Sequence, residues 1–491
     1  MGQGESPSVI CFLRKQLLRG VSCKLAWELR WVLKTSKVMS VSLENLPGSH
    51  GSFNQRDLVK VSHLIMVVRA DPIICGHSTE ARNLAEAGIE MGLESVHIVT
   101  YPIDVLEESG LPLKPLETVS HYSAGIKVCR PNPVGDYKVL DGRLGYALSG
   151  ELVDILHGLH GRVMLMDLYL VPHGQMVMNA VRTFENLERA PDVYTVGEAV
   201  GSDITNVVRN ALEVGQTGAA QMVLANYLDH DLPVAVSEFT RDMIIESGEA
   251  VDAELGTDFA TQLRERVQIS YPAIDTVSYI SIEENLPRVD EVLSLRGLER
   301  DGYVMFLSRI APAKGVDDLV AAYRESELYG VKKLIICGNG PMKEQIRDLA
   351  SEDPSIEVLD DVSDDEKGAL MYGCYAWCLP SKPQPEFVET FGIAVAEKML
   401  AGGLGPVITT GTGGIPEASG GNCLQHVAGD IESLRDCLNE AARMSDDERR
   451  ALSERARRFA YQFDRRNVLT RLLRSAAVVS SDSAEVATLT V

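Results

Sequence analysis

Short apolar runs alternate along the chain with stretches of helical period. The run at 64–68, Leu-Ile-Met-Val-Val, predicts a strand. A polar turn and a helix over about 79–91 follow it, with Ser78 placed as the N-cap. Further strands are predicted at 96–99, 163–166, 193–196 and 234–236. The pattern restarts after residue 300. Strands are predicted at 303–307, 334–337, 375–379 and 407–409, with helices over 316–325 and 393–401. Amphipathic helices close the pattern over about 447–475. Strands that are apolar throughout and separated by helices predict parallel sheets covered on both faces. The fold class expected is therefore α/β, with two doubly wound domains over 61–285 and 286–450, the stretch 276–300 linking them. A C-terminal helix is expected at 451–475 and a disordered tail at 476–491.

The first 60 residues differ in character. Seven cations between Arg14 and Lys37 face only Glu5 and Glu28 across positions 1–38, interleaved with Leu and Trp. Such a segment reads either as a basic amphipathic surface helix or as an extension preceding an alternative start at Met39. It lacks the apolar core and small-residue cleavage site of a secretory signal. Residues 40–60 are polar and read as a mobile leader.

Composition narrows the function classes. Of 491 residues, 47 are Lys or Arg and 70 are Asp or Glu, a net charge of −23. A surface this acidic repels nucleic acid and anionic membranes, so the expected partners are small molecules held in locally basic pockets. No run of apolar residues reaches the length of a membrane-crossing helix. Nine cysteines in mostly apolar contexts read as reduced, buried thiols, which points to a cytoplasmic location. Nothing in the pattern specifies an oligomeric state.

Ligands of open α/β sheets bind outside the carboxyl ends of the strands, so the loops there carry the chemistry. After 303–307 comes Ser308-Arg309-Ile310-Ala311-Pro312-Ala313-Lys314-Gly315. Its guanidinium and ammonium suit a phosphate. After 375–379 comes a loop containing Glu389-Thr390-Phe391-Gly392, followed at once by the 393–401 helix and its Glu397. That helix start offers free amides and a positive dipole end, a seat for a diphosphate. Carboxylates eight residues apart suit sugar hydroxyls and ribose diols, although either acid could equally be an ordinary exposed residue.

Arg309-x4-Lys314-Gly315, Gly338-Asn339-Gly340-Pro341, Glu389-Thr390-Phe391-Gly392 with Glu397, and Gly413-Gly414-Ile415-Pro416-Glu417 occur in one order over some 120 residues. The series resembles the nucleotide-binding domain of retaining family-4 glycosyltransferases of the GT-B fold. The resemblance implies transfer of a sugar from a UDP- or GDP-sugar to a small soluble acceptor. Arg309 and Lys314 would bind the diphosphate, Glu389 the sugar hydroxyls and Glu397 the ribose. Thr390, Phe391, Gly392 and Ile393 would face the sugar and phosphates, with Gly338, Gly340 and Gly76 also on the donor side. Such enzymes usually need no metal and no cofactor, the nucleotide sugar being a substrate.

The first domain resembles the family only in outline. Cys75-Gly76-His77-Ser78 stands where relatives carry a Gly-rich turn, and Ser237 matches a helix-capping serine. Tyr271-Pro272-Ala273-Ile274-Asp275 resembles the family's Asn-Pro-Gly-Val-Asp turn with two departures. Where relatives place a histidine near the donor sugar, this chain has Glu198. His77, His173 and Glu198 are the acceptor-side candidates. Asp229-His230-Asp231 has the form of a metal motif of another fold, but reads as a polar loop. No phosphate-binding G-x-x-x-x-G-K-[ST] loop or G-x-G-x-x-G dinucleotide motif is present. Competing expectations are a non-catalytic sugar-nucleotide-binding partner and a GT-B epimerase or phosphorylase, although no lysine motif for a phosphorylase is seen.

Overall fold

The structure, a computed structural model, describes residues 61–110, 113–132, 142–185, 191–385 and 387–488. The N-terminal extension at 1–60 lies outside them. Two parallel sheets organise the rest. The first has the strand order β3-β2-β1-β4-β5-β6-β7, and the second β10-β9-β8-β11-β12-β13.

The first sheet is built from β1 (Val61–Val67), β2 (Ser95–Val99), β3 (Ile126–Cys129), β4 (Arg162–Asp167), β5 (Asp192–Ala199), β6 (Leu232–Ala235) and β7 (Gln268–Ile269). The second is built from β8 (Tyr303–Leu307), β9 (Lys333–Cys337), β10 (Ile356–Leu359), β11 (Ala376–Leu379), β12 (Val407–Thr410) and β13 (Leu424–His426). All the pairings are parallel. Central strands such as β4 and β11 are buried at every position, because helices cover both faces. In each sheet the order reverses once, between β1 and β4 and between β8 and β11. These are the switch points where loops diverge and leave a crevice.

The helices that matter for the cleft are α1 (Gly76–Glu90), α2 (Glu238–Leu255), α3 (Val316–Glu325), α4 (Ile393–Ala401), α5 (Asp446–Ala460) and α6 (Arg465–Thr488). The helix over 393–401 matches its sequence expectation, and so does the helix over 316–325. Helix α1 begins three residues earlier than expected. Cys75 is its N-cap, and Ser78 is a buried residue of its first turn, not the cap. Helix α6 runs on through Thr488, across most of the stretch expected to be a disordered tail. Between 466 and 488 there is no Gly or Pro to stop it. The stretch expected to link the domains is instead part of the second domain: it is largely helical, at Thr276–Ile280 and Leu286–Leu295, and Val289, Val292 and Leu293 are buried in the core of the second sheet.

Val468, Leu469, Leu472, Leu473 and Ala476 of α6 are buried in the same core as Leu64, Met66, Met164 and Val196 of the first sheet. The C-terminal helix therefore belongs to the first domain. The chain crosses between domains twice, at 270–276 and at 461–465. The crossings touch: the Ile274 amide donates to the Phe463 carbonyl at 2.9 Å, and the Arg465 amide donates to the Ile274 carbonyl at 2.9 Å. Cys337, Cys374, Cys378 and Cys437 are buried free thiols.

Candidate active site

Strands β8 and β11 are neighbours, so the loops that leave them meet at the switch point. Lys314 arrives from the β8 loop and Glu389 from the β11 loop, 75 residues later, and the two form an ion pair. Both side chains are largely buried, at 9% and 16% exposure. Phe387 underlies the pair. The Lys314 ammonium lies 4.7 Å from its ring centre, and the Arg309 guanidinium lies 6.0 Å from the same ring. Arg309 is exposed, whereas Lys314 is set into the wall. One ring thus gathers two cations at the mouth of the crevice.

Helix α4 starts directly after this loop. Gly392 is its N-cap at φ +98°, and no side chain caps it. Among the described residues, the amides of Ile393 and Ala394 donate to no backbone carbonyl. They leave two N–H groups and the positive end of the helix dipole beside Glu389. Gly338 and Gly340 lie in the turn after β9 and lock the floor of the β8 loop. The Ile310 amide donates to the Asn339 carbonyl at 2.8 Å, and a Cβ on Gly338 would sit 2.0 Å from the Ser308 carbonyl oxygen. Glu397, on α4, is 5% exposed and salt-bridged to Lys367 at 2.7 Å. Beside it the Tyr279 hydroxyl is pushed well above its usual range by burial and by the Glu397 carboxylate.

The first domain faces this constellation at close range. Gly76, the first residue of α1, has room for a Cβ only at 3.1 Å from the Ile393 side chain. Thr390 donates its hydroxyl to the Val200 carbonyl, just beyond β5, at 2.9 Å. Glu417 of the second domain accepts from the Glu238 and Phe239 amides, at 2.8 and 3.0 Å. It caps the first turn of α2 together with Ser237, whose side chain accepts from the Thr240 amide as expected of an N-cap. Phe391 turns its ring away from the crevice. The ring is 2% exposed and packs on Tyr271 and Phe463, with ring centres at 5.5 and 5.0 Å.

The acceptor-side candidates separate. His77 is the second residue of α1 and His173 lies in the helical turn Leu170–Gly174 after β4, both in ring contact with Tyr169. His173 is buried and bonds the Tyr101 hydroxyl at 2.9 Å, while its Nδ1 has no partner. Burial, then Arg69, lowers both imidazoles, His77 to about 3. Both are therefore neutral.

Glu198 is not with them. It is fully buried inside the first domain, and its near neighbours are Glu80, Asp167 and Asp203 rather than Lys314 or Glu389. Burial, then Glu80, raises its carboxyl well above the ordinary range. Glu80 rises to about 7, chiefly by burial, and its Oε1 accepts from the Ala273 amide at 3.2 Å. The Asp229-His230-Asp231 segment is a structural brace. His230 is fully buried and meets Asp167 at 2.7 Å, and Asp231 accepts from the Thr195 amide and hydroxyl.

Two motif residues take roles that their motifs do not announce: Glu417 reaches α2 across 178 residues, and Tyr271 meets Phe391 only through the chain crossing. One further residue has no signal in the sequence. Arg69 follows β1 in a loop with no motif, and its role depends on what does not surround it.

Residues 295–459 match the family model described as glycosyl transferases group 1. None of the curated proteins matches the chain. Among solved structures, Anabaena HepE in complex with UDP and glucose is 16% identical, with a TM-score of 0.58 over 86% of this chain and 100% of that one. The sucrose-phosphate synthase of Thermosynechococcus elongatus is 15% identical, with a TM-score of 0.59 over 86% and 100%. The E. coli protein bound with UDP-2-fluoro glucose is 12% identical, with a TM-score of 0.56 over 85% and 99%. At such identities the likeness is one of fold, and the family match falls on the domain that carries Arg309, Lys314 and Glu389. The chain thus has the two-domain GT-B fold, and its second domain matches the model of the glycosyl transferases group 1.

Proposed function

We propose that the protein is a retaining glycosyltransferase that moves a sugar from a nucleoside diphosphate to a hydroxyl of a small soluble acceptor. The observation that carries this reading is the pairing of Lys314 with Glu389 beside the uncapped start of α4. A carboxylate that accepts from sugar hydroxyls stands next to the cations and amides that would receive a diphosphate. UDP is the first candidate base, because the structures of HepE and of the E. coli protein hold UDP or a UDP sugar.

In this reading the C1–O bond to the diphosphate breaks and a bond from the acceptor oxygen to C1 forms on the same face. The acceptor proton passes to the departing diphosphate oxygen. Charge grows on that oxygen, and Arg309, Lys314 and the Ile393 and Ala394 amides are placed to stabilise it. These groups supply the positive charge without a metal. The contacts of Thr390 with Val200 and of Gly76 with Ile393 keep water from the reacting centre. Glu198 takes no part, because its carboxyl is sealed in the first domain.

The test is thermal melting with UDP and with GDP. A ligand bound only by the folded chain raises the melting temperature. One nucleotide should stabilise the natural chain and do so much less in Lys314→Ala. Absence of any shift at millimolar concentration overturns the donor site.

A further inference from the structure

The geometry points to a subsite for an anionic group of the acceptor, a phosphate monoester or a carboxylate, at Arg69 in the switch point of the first sheet. This rests on the reading of the cleft as a glycosyl-transfer site only for the word acceptor. The anion site itself stands on the first domain alone.

Arg69 lies two residues beyond β1, and Tyr169 two residues beyond β4. Those strands are neighbours at the point where the sheet order reverses. The Arg69 guanidinium lies 5.0 Å from the Tyr169 ring centre and is half-buried. Among the described residues, no carboxylate, carbonyl or hydroxyl accepts from it. Its neighbours are treated differently: Arg82 is salt-bridged to Asp71 at 2.8 Å, and Arg130 donates to the Tyr101 and Asp71 carbonyls. A partly desolvated cation without a partner is costly, and five fixed N–H donors match a bidentate oxyanion.

A second observation lies in the same pocket. His173 is 1% exposed with an unpartnered Nδ1, and its ring packs against Tyr169. Tyr169 also meets the ring of His77, at 5.6 Å, and its neighbour Gly76, the first residue of α1, faces Ile393 at the start of α4. An anion on Arg69 would thus lie on the first-domain side of the cleft, linked through Tyr169 and His77 to the residue that faces the start of α4.

The experiment compares melting shifts of the natural chain, Arg69→Ala, Arg69→Gln and Lys314→Ala with millimolar glucose 6-phosphate, glucuronate, glucose and UDP. At least one of the two anions should stabilise the natural chain and Lys314→Ala, and which one does so tells phosphate from carboxylate. Glucose should not. Both Arg69 variants should bind the effective anion about ten- to a hundredfold more weakly. They should keep the natural ligand-free melting temperature and the UDP shift. Arg69→Gln keeps the packing on Tyr169 if the alanine variant fails to fold. The proposal is overturned if neither anion stabilises the natural chain, or if glucose does so equally. It is also overturned if the anion shift disappears in Lys314→Ala but persists in the Arg69 variants, or if the Arg69 variants lose the UDP shift instead. An anion shift that depends on Arg69 in a chain stabilised by neither UDP nor GDP would uphold this site while removing the donor reading.

Discussion

Thr390 and Val200 are joined across the cleft by a 2.9 Å hydrogen bond between residues 190 positions apart. The bond needs Gly201. This residue holds φ +100°, and a Cβ there would sit 2.0 Å from the Thr390 methyl. Gly201→Ala should therefore push the donor loop away from the first domain and strain the backbone. We expect a loss of about 1–3 kcal/mol in stability. We also expect a fall in transfer rate larger than the stability loss accounts for. Denaturant unfolding and steady-state kinetics measure the two separately, and an unchanged turnover number would show that this contact does not matter for closure.

Lys314→Ala removes the buried cation and leaves the Glu389 carboxylate facing the crevice without its partner. If the ammonium stabilises a departing diphosphate, turnover should fall by about two to three orders of magnitude. Lys314→Arg should restore part of it. Single-turnover assays with a radiolabelled sugar donor would read the change, and equal rates in the variant and natural proteins would refute the role.

Glu417 is a second-domain acid that caps a first-domain helix. Glu417→Gln removes the charge from the α2 start and weakens both amide bonds. The expected cost is about 1 kcal/mol. Because the bond spans the domains, the variant should also show a larger radius of gyration by solution X-ray scattering. A cost in melting temperature with unchanged scattering would reduce Glu417 to a helix cap.

Glu80 gives a pH dependence of definite sign. Its carboxyl rises to about 7 in the folded chain, first by burial, against an ordinary value near 4.5. The folded state then holds a proton that the unfolded chain has already released. This contribution is fully present below pH 4.5 and is lost as the pH rises toward 7. Glu80→Gln keeps an oxygen for the Ala273 amide and offers a permanent donor to Glu198. It should melt several degrees higher than the natural chain at pH 8, with little difference at pH 4.5. Melting curves across that range test it, and a constant gap at all pH values would contradict the raised Glu80 carboxyl.

Much of this architecture is readable from one sequence because central parallel strands are buried on both sides. Leu64–Val67 and Val304–Phe306 are unbroken apolar runs and announce themselves. The edges do not. β3 and β10 have four residues with partly exposed positions, and β7 has two residues, so no hydrophobic run marks them. The start of α1 differs from its expected place because a serine three positions in is a better cap by type than the cysteine that serves. At the site, Arg309, Lys314, Glu389 and the α4 start were legible because a motif binds them to one loop each. The pairing of Lys314 with Glu389 follows only once β8 and β11 are adjacent. Glu198 is expected near the donor because it stands where the resembled family often carries a histidine. The structure turns it inward, onto Glu80 of a helix more than 100 residues upstream. Arg69 is defined by missing partners, a property of the surroundings that no local pattern records.

The two chain crossings meet at Ile274, which exchanges hydrogen bonds with Phe463 and Arg465. Everything that connects the domains covalently thus passes through one pair of adjoining segments, with Tyr271, Phe391 and Phe463 stacked against them. Such a junction acts as an axle. It resists stretching and lateral slip, since either would break both amide bonds at once, and it yields most easily to rotation. The cleft should therefore widen by swinging about Ile274. The donor loop is dragged along in that swing, because its Phe391 is planted on the axle itself.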